Sequence, residues 1–127
     1  MAGPLVAPHF PRPAPIDSYG KGGFRFAGMS HRGSLLCLPS GIWAWPVNAA
    51  LEISEANLAQ VFADTSAMSL FLLGTGLEPA AIDPALRRHF SEAKLTLEVM
   101  RTAHAANTYN ILLGEGRRVG AALIAVD

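Results

Sequence analysis

Seven residues near two predicted strand ends could bind a small ligand. The tripeptide Gly74-Thr75-Gly76 follows an apolar run, and its glycines could expose backbone N–H groups to an anion, as dinucleotide-binding turns do. Glu98 falls about where a ribose-binding acid would lie at the end of the next strand. Thr102, His104 and Asn107 would add a hydroxyl, an imidazole and an amide. Together these residues predict a crevice for a nucleotide-like or anionic molecule.

A structural interpretation of the same residues is the one we favour. A full G-x-G-x-x-G motif would need glycine at position 79, where Pro79 stands, and the Walker lysine is absent. In this interpretation the glycine loop is a tight turn and Glu98 is a solvated acid. Thr102 then caps the following helix, which is the role we favour for it, and His104 is an exposed residue of the first turn.

The sequence contains no recognisable catalytic set. The four histidines are scattered without metal-ligand spacing, so no metal site is expected. Cys37 is the single cysteine and lies in the apolar run Leu35–Leu38, where a thiol behaves as a small buried hydrophobe. The nucleophile motif G-x-S-x-G does not occur. We therefore expect no catalytic residues and no cofactor, and we favour a non-enzymatic role over an enzymatic one.

The apolar run Leu70–Leu73 must position the glycine loop. Such a run, bounded by turn residues, is typical of a strand buried on both faces of an α/β sheet, and we predict this strand over 68–73. Helices are predicted on both sides of it. The first covers 55–63 with Ser54 as N-cap, and the second has Asp83 as cap and Pro84 at its first position.

The remaining elements complete the predicted order β-β-β-α-β-α-β-α-β. Strands are predicted at 24–26, 34–38, 41–47, 95–99 and 119–126, a third helix at 102–113, and turns at 16–23. Alternation of strands and helices in the second half implies a parallel β-α-β arrangement. We therefore predict a single α/β domain with an N-terminal strand and hairpin block, in which either one sheet is mixed or there are two sheets.

Composition limits the number of domains and the classes of partner. A chain of 127 residues fits one domain. Residues 1–15 carry five prolines and are predicted to form a flexible arm, which leaves 16–127 as the domain. Ten basic residues balance ten acidic ones, which argues against a nucleic-acid partner. The chain lacks a signal-peptide core and any apolar run near the roughly 18 residues of a membrane span, so we expect a soluble cytoplasmic protein without membrane insertion.

Several short motifs, in this order, resemble the Mth938-like family, a domain-of-unknown-function group. The motifs are Ile16-Asp17-Ser18-Tyr19 with Gly23-Phe24, the Gly74-Thr75-Gly76 loop, Glu98-Val99-Met100 followed by Thr102 and Ala106, Thr108-Tyr109-Asn110, and Glu115-Gly116-Arg117 with Val119. The resemblance covers the chain after residue 15. It implies a compact three-layer α/β domain and supplies no catalytic residues. Eukaryotic relatives in this family include a mitochondrial assembly factor for respiratory complex I.

Two functions from different classes follow. The favoured one is a non-enzymatic interaction or assembly protein, for which the resemblance implies protein partners such as respiratory-complex subunits, and a mitochondrial location in eukaryotic relatives. The alternative is a ligand-binding domain or small enzyme that uses the crevice at Gly74-Thr75-Gly76 and Glu98. The sequence leaves the oligomeric state and the partner's identity open.

Overall fold

The structure is a computed structural model that describes residues 8–127. This part of the chain forms eight strands and three α-helices, joined by short 3-10 turns. The strands are β1 Ile16–Gly20, β2 Gly23–Phe26, β3 Met29–Arg32, β4 Ser34–Leu38, β5 Gly41–Trp45, β6 Leu70–Gly74, β7 Thr96–Met100 and β8 Val119–Leu123. The helices are α1 Ala59–Ala63, α2 Pro84–Glu92 and α3 Thr102–Gly114.

The central layer is a mixed five-stranded sheet with the order β5-β4-β8-β6-β7. Strand β6 pairs in parallel with β7 on one side and with β8 on the other. The hairpin β4–β5 joins the other edge of β8, where β4 runs antiparallel to it. The predicted α/β class and its parallel β-α-β half are therefore confirmed.

Strand β6 is an interior strand buried on both faces, as predicted. Phe71 and Leu73 belong to the hydrophobic cluster beneath α1 and α2, and the Phe71 ring stacks on Phe90 of α2 at a centroid distance of 5.5 Å. Leu72 points to the opposite cluster, which includes Tyr109 of α3. Alternate side chains of the same strand thus join two separate cores.

Three layers result from this burial. Helices α1 and α2 cover one face of the five-stranded sheet. Helix α3 and a separate antiparallel sheet, β1-β2-β3, cover the other face. Phe24 and Phe26 of this small sheet are 2% and 1% exposed, so its inner face belongs to the second core.

Strands β1 and β3 were not predicted, and residues 16–20 were wrongly assigned to turns. Two features outside the local sequence hold β1 in place. Its residues pair with β2, with an irregularity in the register between Ile16 and Ser18. In addition, the side-chain amide of Asn110 in α3 is bonded to both backbone groups of Ile16. The Ile16 N–H donates to Asn110 Oδ1 at 2.7 Å, and Asn110 Nδ2 donates to the Ile16 carbonyl at 2.7 Å. Strand β3 forms on the other edge of β2.

The predicted start of α2 is confirmed, whereas the helix predicted over 55–63 with Ser54 as its N-cap starts later, at Ala59. Asp83 Oδ1 accepts a hydrogen bond from Ala85 N at 2.9 Å, and Pro84 is the first residue of α2. Before α1, Ser54 Oγ accepts from Asn57 N at 3.3 Å while Asn57 Oδ1 accepts from Ser54 N at 3.0 Å. Ser54 therefore bonds to the 3-10 turn Ala56–Leu58, and α1 begins only at Ala59, where its N-cap residue Leu58 makes no side-chain capping bond.

The division into an arm over 1–15 and a domain over 16–127 stays a prediction. Residues 1–7 lie outside the described residues. Within 8–15, His9 N donates to the Ile42 carbonyl at 2.8 Å and Ile42 N donates to the Phe10 carbonyl at 2.9 Å. Ala14 is buried. The packed part of the chain therefore begins upstream of residue 16, along the outer edge of β5.

Tyr109 offers a test of this packing. Its hydroxyl is buried and makes no hydrogen bond within residues 8–127, and burial raises the pKa of the phenol far above its usual range. Tyr109→Phe removes an unpaired polar atom whose desolvation costs about 1–3 kcal/mol. We expect the free energy of unfolding, measured in urea, to stay equal or rise. The exposed Tyr19→Phe is the control, and a clear loss in Tyr109→Phe alone would contradict this account.

Candidate functional site

The glycine loop lies where three parallel strands end together. Gly74, the last residue of β6, is in register with Met100 of β7 and with Leu123 of β8. Two hydrogen bonds extend these ladders beyond the strands. Thr75 N donates to the Met100 carbonyl at 2.9 Å, and Ile124 N donates to the Gly74 carbonyl at 2.9 Å. This carboxyl edge is the place where open α/β sheets bind ligands.

Thr102 packs against the glycine loop, and its hydroxyl is bonded to two neighbouring segments. The side chain is 0% exposed. Its Oγ1 donates to the Ile124 carbonyl at 2.7 Å and accepts from Gly76 N at 3.0 Å. In addition, Thr102 N donates to the Gly76 carbonyl at 2.8 Å. One residue thus joins the glycine loop, the end of β8 and the start of α3.

The prediction that Thr102 caps α3 is wrong. The N-cap position is Arg101, which has extended backbone angles and makes no side-chain capping bond. Thr102 is already helical, and its hydroxyl is committed to the two neighbouring segments instead. A threonine before an apolar helical pattern gives the same local signal in both roles, because the distant carbonyl of Ile124 cannot be seen in that pattern.

The other groups of the loop are also paired internally. Thr75 Oγ1 donates to the Glu78 carbonyl at 2.7 Å and closes a turn over 75–78. An ideal Cβ on Gly74 would lie 3.0 Å from Thr102 Cα and 3.1 Å from Ala105 Cβ, so α3 packs directly on this glycine. Gly76 has a φ of 109°, which side chains rarely adopt. The N–H groups of Thr75 and Gly76 are bonded within the protein, where they stabilise the loop, and they do not point into an open anion-binding site.

The structure brings four of the seven predicted residues together and leaves three apart. Gly74, Thr75, Gly76 and Thr102 form the hydrogen-bonded loop just described. Glu98 is exposed and is in register with Leu72, two residues before the end of β6. His104 and Asn107 are exposed on α3, whereas Thr102, Ala105 and Ala106 of the same helix are buried. The role of the seven residues in ligand binding stays a prediction.

Sequence reasoning missed an apolar surface beside the loop. A depression of about 330 Å³ lies at the carboxyl edge, and its lining includes Thr75 and Gly76. Apolar side chains from three segments surround it, and we call these residues the apolar edge. They are Ala49, Ala50, Leu77 and Val126, which line the depression together with the polar Asn48 and Asp127, and Leu51, which follows Ala50 in the chain but is not part of the lining.

Two leucines of the apolar edge are unusually exposed. Leu51 is 100% exposed at the tip of a short 3-10 turn, and Leu77 is 72% exposed directly after the glycine loop. Both stand alone among small or charged neighbours, outside any helix or strand period. The only sequence signal for them was an apolar residue in a loop, which is too common to identify a site.

Metal-binding and nucleophilic groups give no second site in residues 8–127. This part of the chain has no group of three or more His, Cys, Asp or Glu side chains that could hold a metal ion. Burial raises the pKa of the Cys37 thiol to about 12, so the thiol stays protonated at neutral pH. None of the helices in this part is long and apolar enough to cross a bilayer.

Thr102 provides the direct test of the loop. Thr102→Val keeps the shape of the side chain but leaves the Ile124 carbonyl and the Gly76 N–H buried without their partner. Each unpaired buried group costs about 1–3 kcal/mol, so we expect a loss of about 2–4 kcal/mol in the free energy of unfolding. Thr102→Ser retains the hydroxyl and should lose far less. Little or no loss in Thr102→Val by urea denaturation, or a loss no larger than that of Thr102→Ser, would contradict this account.

Comparison with known proteins places the chain in a family. Residues 16–124 match the profile of a family described as "Protein of unknown function (DUF498/DUF598)". An uncharacterized protein of Rhodobacter capsulatus is 40% identical over 117 residues, which are 92% of this chain and 89% of that protein. The mouse NADH dehydrogenase [ubiquinone] 1 alpha subcomplex assembly factor 3 is 30% identical over 120 residues, which are 94% of this chain. The chain spans 65% of the mouse protein's length.

Solved structures agree with this assignment. A Bartonella henselae protein described as an outer membrane protein is 41% identical, with a TM-score of 0.90 over 94% of this chain and 100% of that one. A Bordetella pertussis protein described as a Mth938-like domain is 25% identical, with a TM-score of 0.76 over 98% of this chain and 90% of that one. The sequence match and the shared fold together show that this chain belongs to the DUF498/DUF598 family of Mth938-like domains.

Proposed function

We propose that this protein is a non-enzymatic assembly factor that binds protein subunits of respiratory complex I through the apolar edge. The mouse relative is named as an assembly factor for NADH dehydrogenase, and this supports complex I as the complex that is assembled. The cytoplasmic location expected from the sequence stays a prediction.

The exposure of Leu51 and Leu77 is the observation on which the proposal rests. Isolated exposed apolar residues are common, but Leu77 lines the depression and Leu51 directly follows Ala50, which also lines it. Burying a leucine side chain in a partner is worth about 1.5–3 kcal/mol. Two exposed leucines beside one depression offer apolar area that a partner would bury.

The loop that presents Leu51 is held in place by its neighbours. Asn48 N donates to Glu52 Oε1 at 2.9 Å, and Asn57 Nδ2 donates to the Glu52 carbonyl at 2.7 Å. The 3-10 turn is therefore tied at both of its ends while the leucine between them faces solvent. A side chain presented on an ordered loop loses less conformational entropy on binding, which favours affinity.

Charges around the apolar edge favour one kind of partner. The carboxylates of Glu52, Glu78 and Asp127 belong to the segments that surround it, and Arg101 is the cation next to Thr102. Lys21 also lies close to this edge, because its neighbour Gly22 donates to the Val126 carbonyl, so three acids face two bases and the rim has a small net negative charge. We therefore expect the bound segment of the partner to be apolar with basic flanks, and we expect the association to weaken as salt rises.

A complementation experiment tests this function. In a bacterium that encodes the protein, deletion of the gene should lower the amount of assembled complex I on native gels. Expression of the wild-type chain at the native level should restore it. Leu51→Asp/Leu77→Asp should fail to restore it, because charged side chains cannot be buried in an apolar interface without partners.

The control is Ile111→Asp, which places one carboxylate, instead of two, at an apolar residue of α3 that is 53% exposed. This variant should restore complex I fully. Near-native circular dichroism and urea midpoints must accompany the double variant, so that unfolding is separated from lost binding. Normal complex I in the deletion strain would refute the assembly role, whereas full rescue by Leu51→Asp/Leu77→Asp would refute the proposed surface.

A further inference from the structure

The small sheet β1-β2-β3 has an outer face that the packing of the domain does not use. Phe24 and Phe26 point inward to the second core, so Arg25 between them must point outward. Arg25 is directly opposite Ser18 of β1 and Ser30 of β3. The outer face therefore carries a row of one guanidinium between two hydroxyls.

The next row of the same face is nearly bare. Gly20, Gly23 and Arg32 are in register there, and two of the three have no side chain. A Cβ on Gly23 would collide with the carbonyl oxygen of His31, so the ladder itself requires glycine at this position. Arg32 is the diagonal neighbour of Arg25, a spacing of roughly 7–8 Å in an antiparallel sheet.

The backbone of Gly20 and Gly23 lies lower than the long side chains of Arg25 and Arg32 around it, so the surface is concave there. An open depression of about 470 Å³ lies on this face, lined by Lys21 of the β1–β2 turn, both arginines and both serines. Arg25 is already oriented, because its Nη1 donates to Ser30 Oγ at 2.7 Å. The second nitrogen edge of a planar guanidinium remains available for a bidentate contact in such an arrangement.

The three cations are not neutralised by the rest of residues 8–127. The ion pairs in this part of the chain are His89 with Glu55 and Arg117 with Glu115, both on other elements. Asp17 is the one acid within 16–32, and Asp127 lies near the turn between β1 and β2. Asp127 follows Val126, whose carbonyl accepts from Gly22 N at 2.9 Å. Neither acid is paired with a cation of the small sheet.

We propose that the outer face of the small sheet binds the phosphate group of a small phosphate monoester. Arg25 and Arg32 supply planar donors for the oxygens, Lys21 supplies a point charge, and Ser18 and Ser30 supply hydroxyls. A bilayer is a poorer fit, because anionic membranes are bound by clusters of four to eight cations and this chain has no net charge. The proposal is independent of the assembly role and of the apolar edge.

Titration of the full chain with phenyl phosphate tests the site. Backbone amide NMR at constant ionic strength should show saturable shifts at Gly20, Gly23 and Ser30. Arg25→Ala/Arg32→Ala should raise the Kd at least about tenfold, since two charge-assisted contacts are lost. Arg87→Ala/Arg88→Ala removes the same charge from exposed positions of α2 and should leave the Kd unchanged.

A second variant guards against loss of the fold. Arg25→Lys/Arg32→Lys keeps both charges but not the planar fork, and it should weaken binding less than the alanine variant does. Shifts that do not saturate, that chloride reproduces, or that both alanine variants weaken equally would overturn the proposal. Binding to phosphatidylglycerol vesicles without binding of phenyl phosphate would overturn it as well.

Discussion

One buried hydroxyl, that of Thr102, ties together the ends of three elements. It donates to the Ile124 carbonyl after β8 and accepts from Gly76 N after β6, while its own residue begins α3. The Thr102 side chain is fully buried, and a buried polar group without a partner is costly. No one of these three segments can move away without leaving a buried polar group unpaired. The carboxyl edge of the sheet therefore behaves as one rigid unit.

This rigidity changes what a glycine loop at a sheet edge can do. In dinucleotide-binding turns the exposed N–H groups are left for the ligand, whereas here Thr75 N and Gly76 N are bonded to Met100 and Thr102. The same edge instead presents the leucines at 51 and 77 to solvent. A fixed platform with exposed apolar side chains suits binding of a protein better than capture of a small molecule.

The sequence predicted the parts of the fold whose signals are local. Strand β6 is a continuous apolar run, and α2 begins at an Asp83-Pro84 pair, so neither depends on distant residues for its identity. Strand β1 does depend on them. Its glycine and polar residues resemble a turn, and it becomes a strand because β2 pairs with it and Asn110, 94 residues away from Ile16, bonds to it.

The candidate site was only partly predictable for the same reason. Parallel strands must end at one edge, so the meeting of Gly74 with the start of α3 could be inferred from element order alone. The orientation of each side chain could not. His104 and Thr102 are two positions apart on one helix, which puts them on different sides, and only the packed helix shows that Thr102 is the inner one.

The net charge of zero does not reveal that basic and acidic residues are unevenly distributed along the chain. Residues 16–32 contain Lys21, Arg25 and Arg32 against the single acid Asp17, a net charge of +2. From 33 to 86 there is no lysine or arginine, and the acids are Glu52, Glu55, Asp64, Glu78 and Asp83. Neutrality excludes a uniformly basic surface but not a local one. The excess of cations therefore lies in the small sheet and the excess of acids lies in the segments around the apolar edge, and Lys21 lies where the two meet.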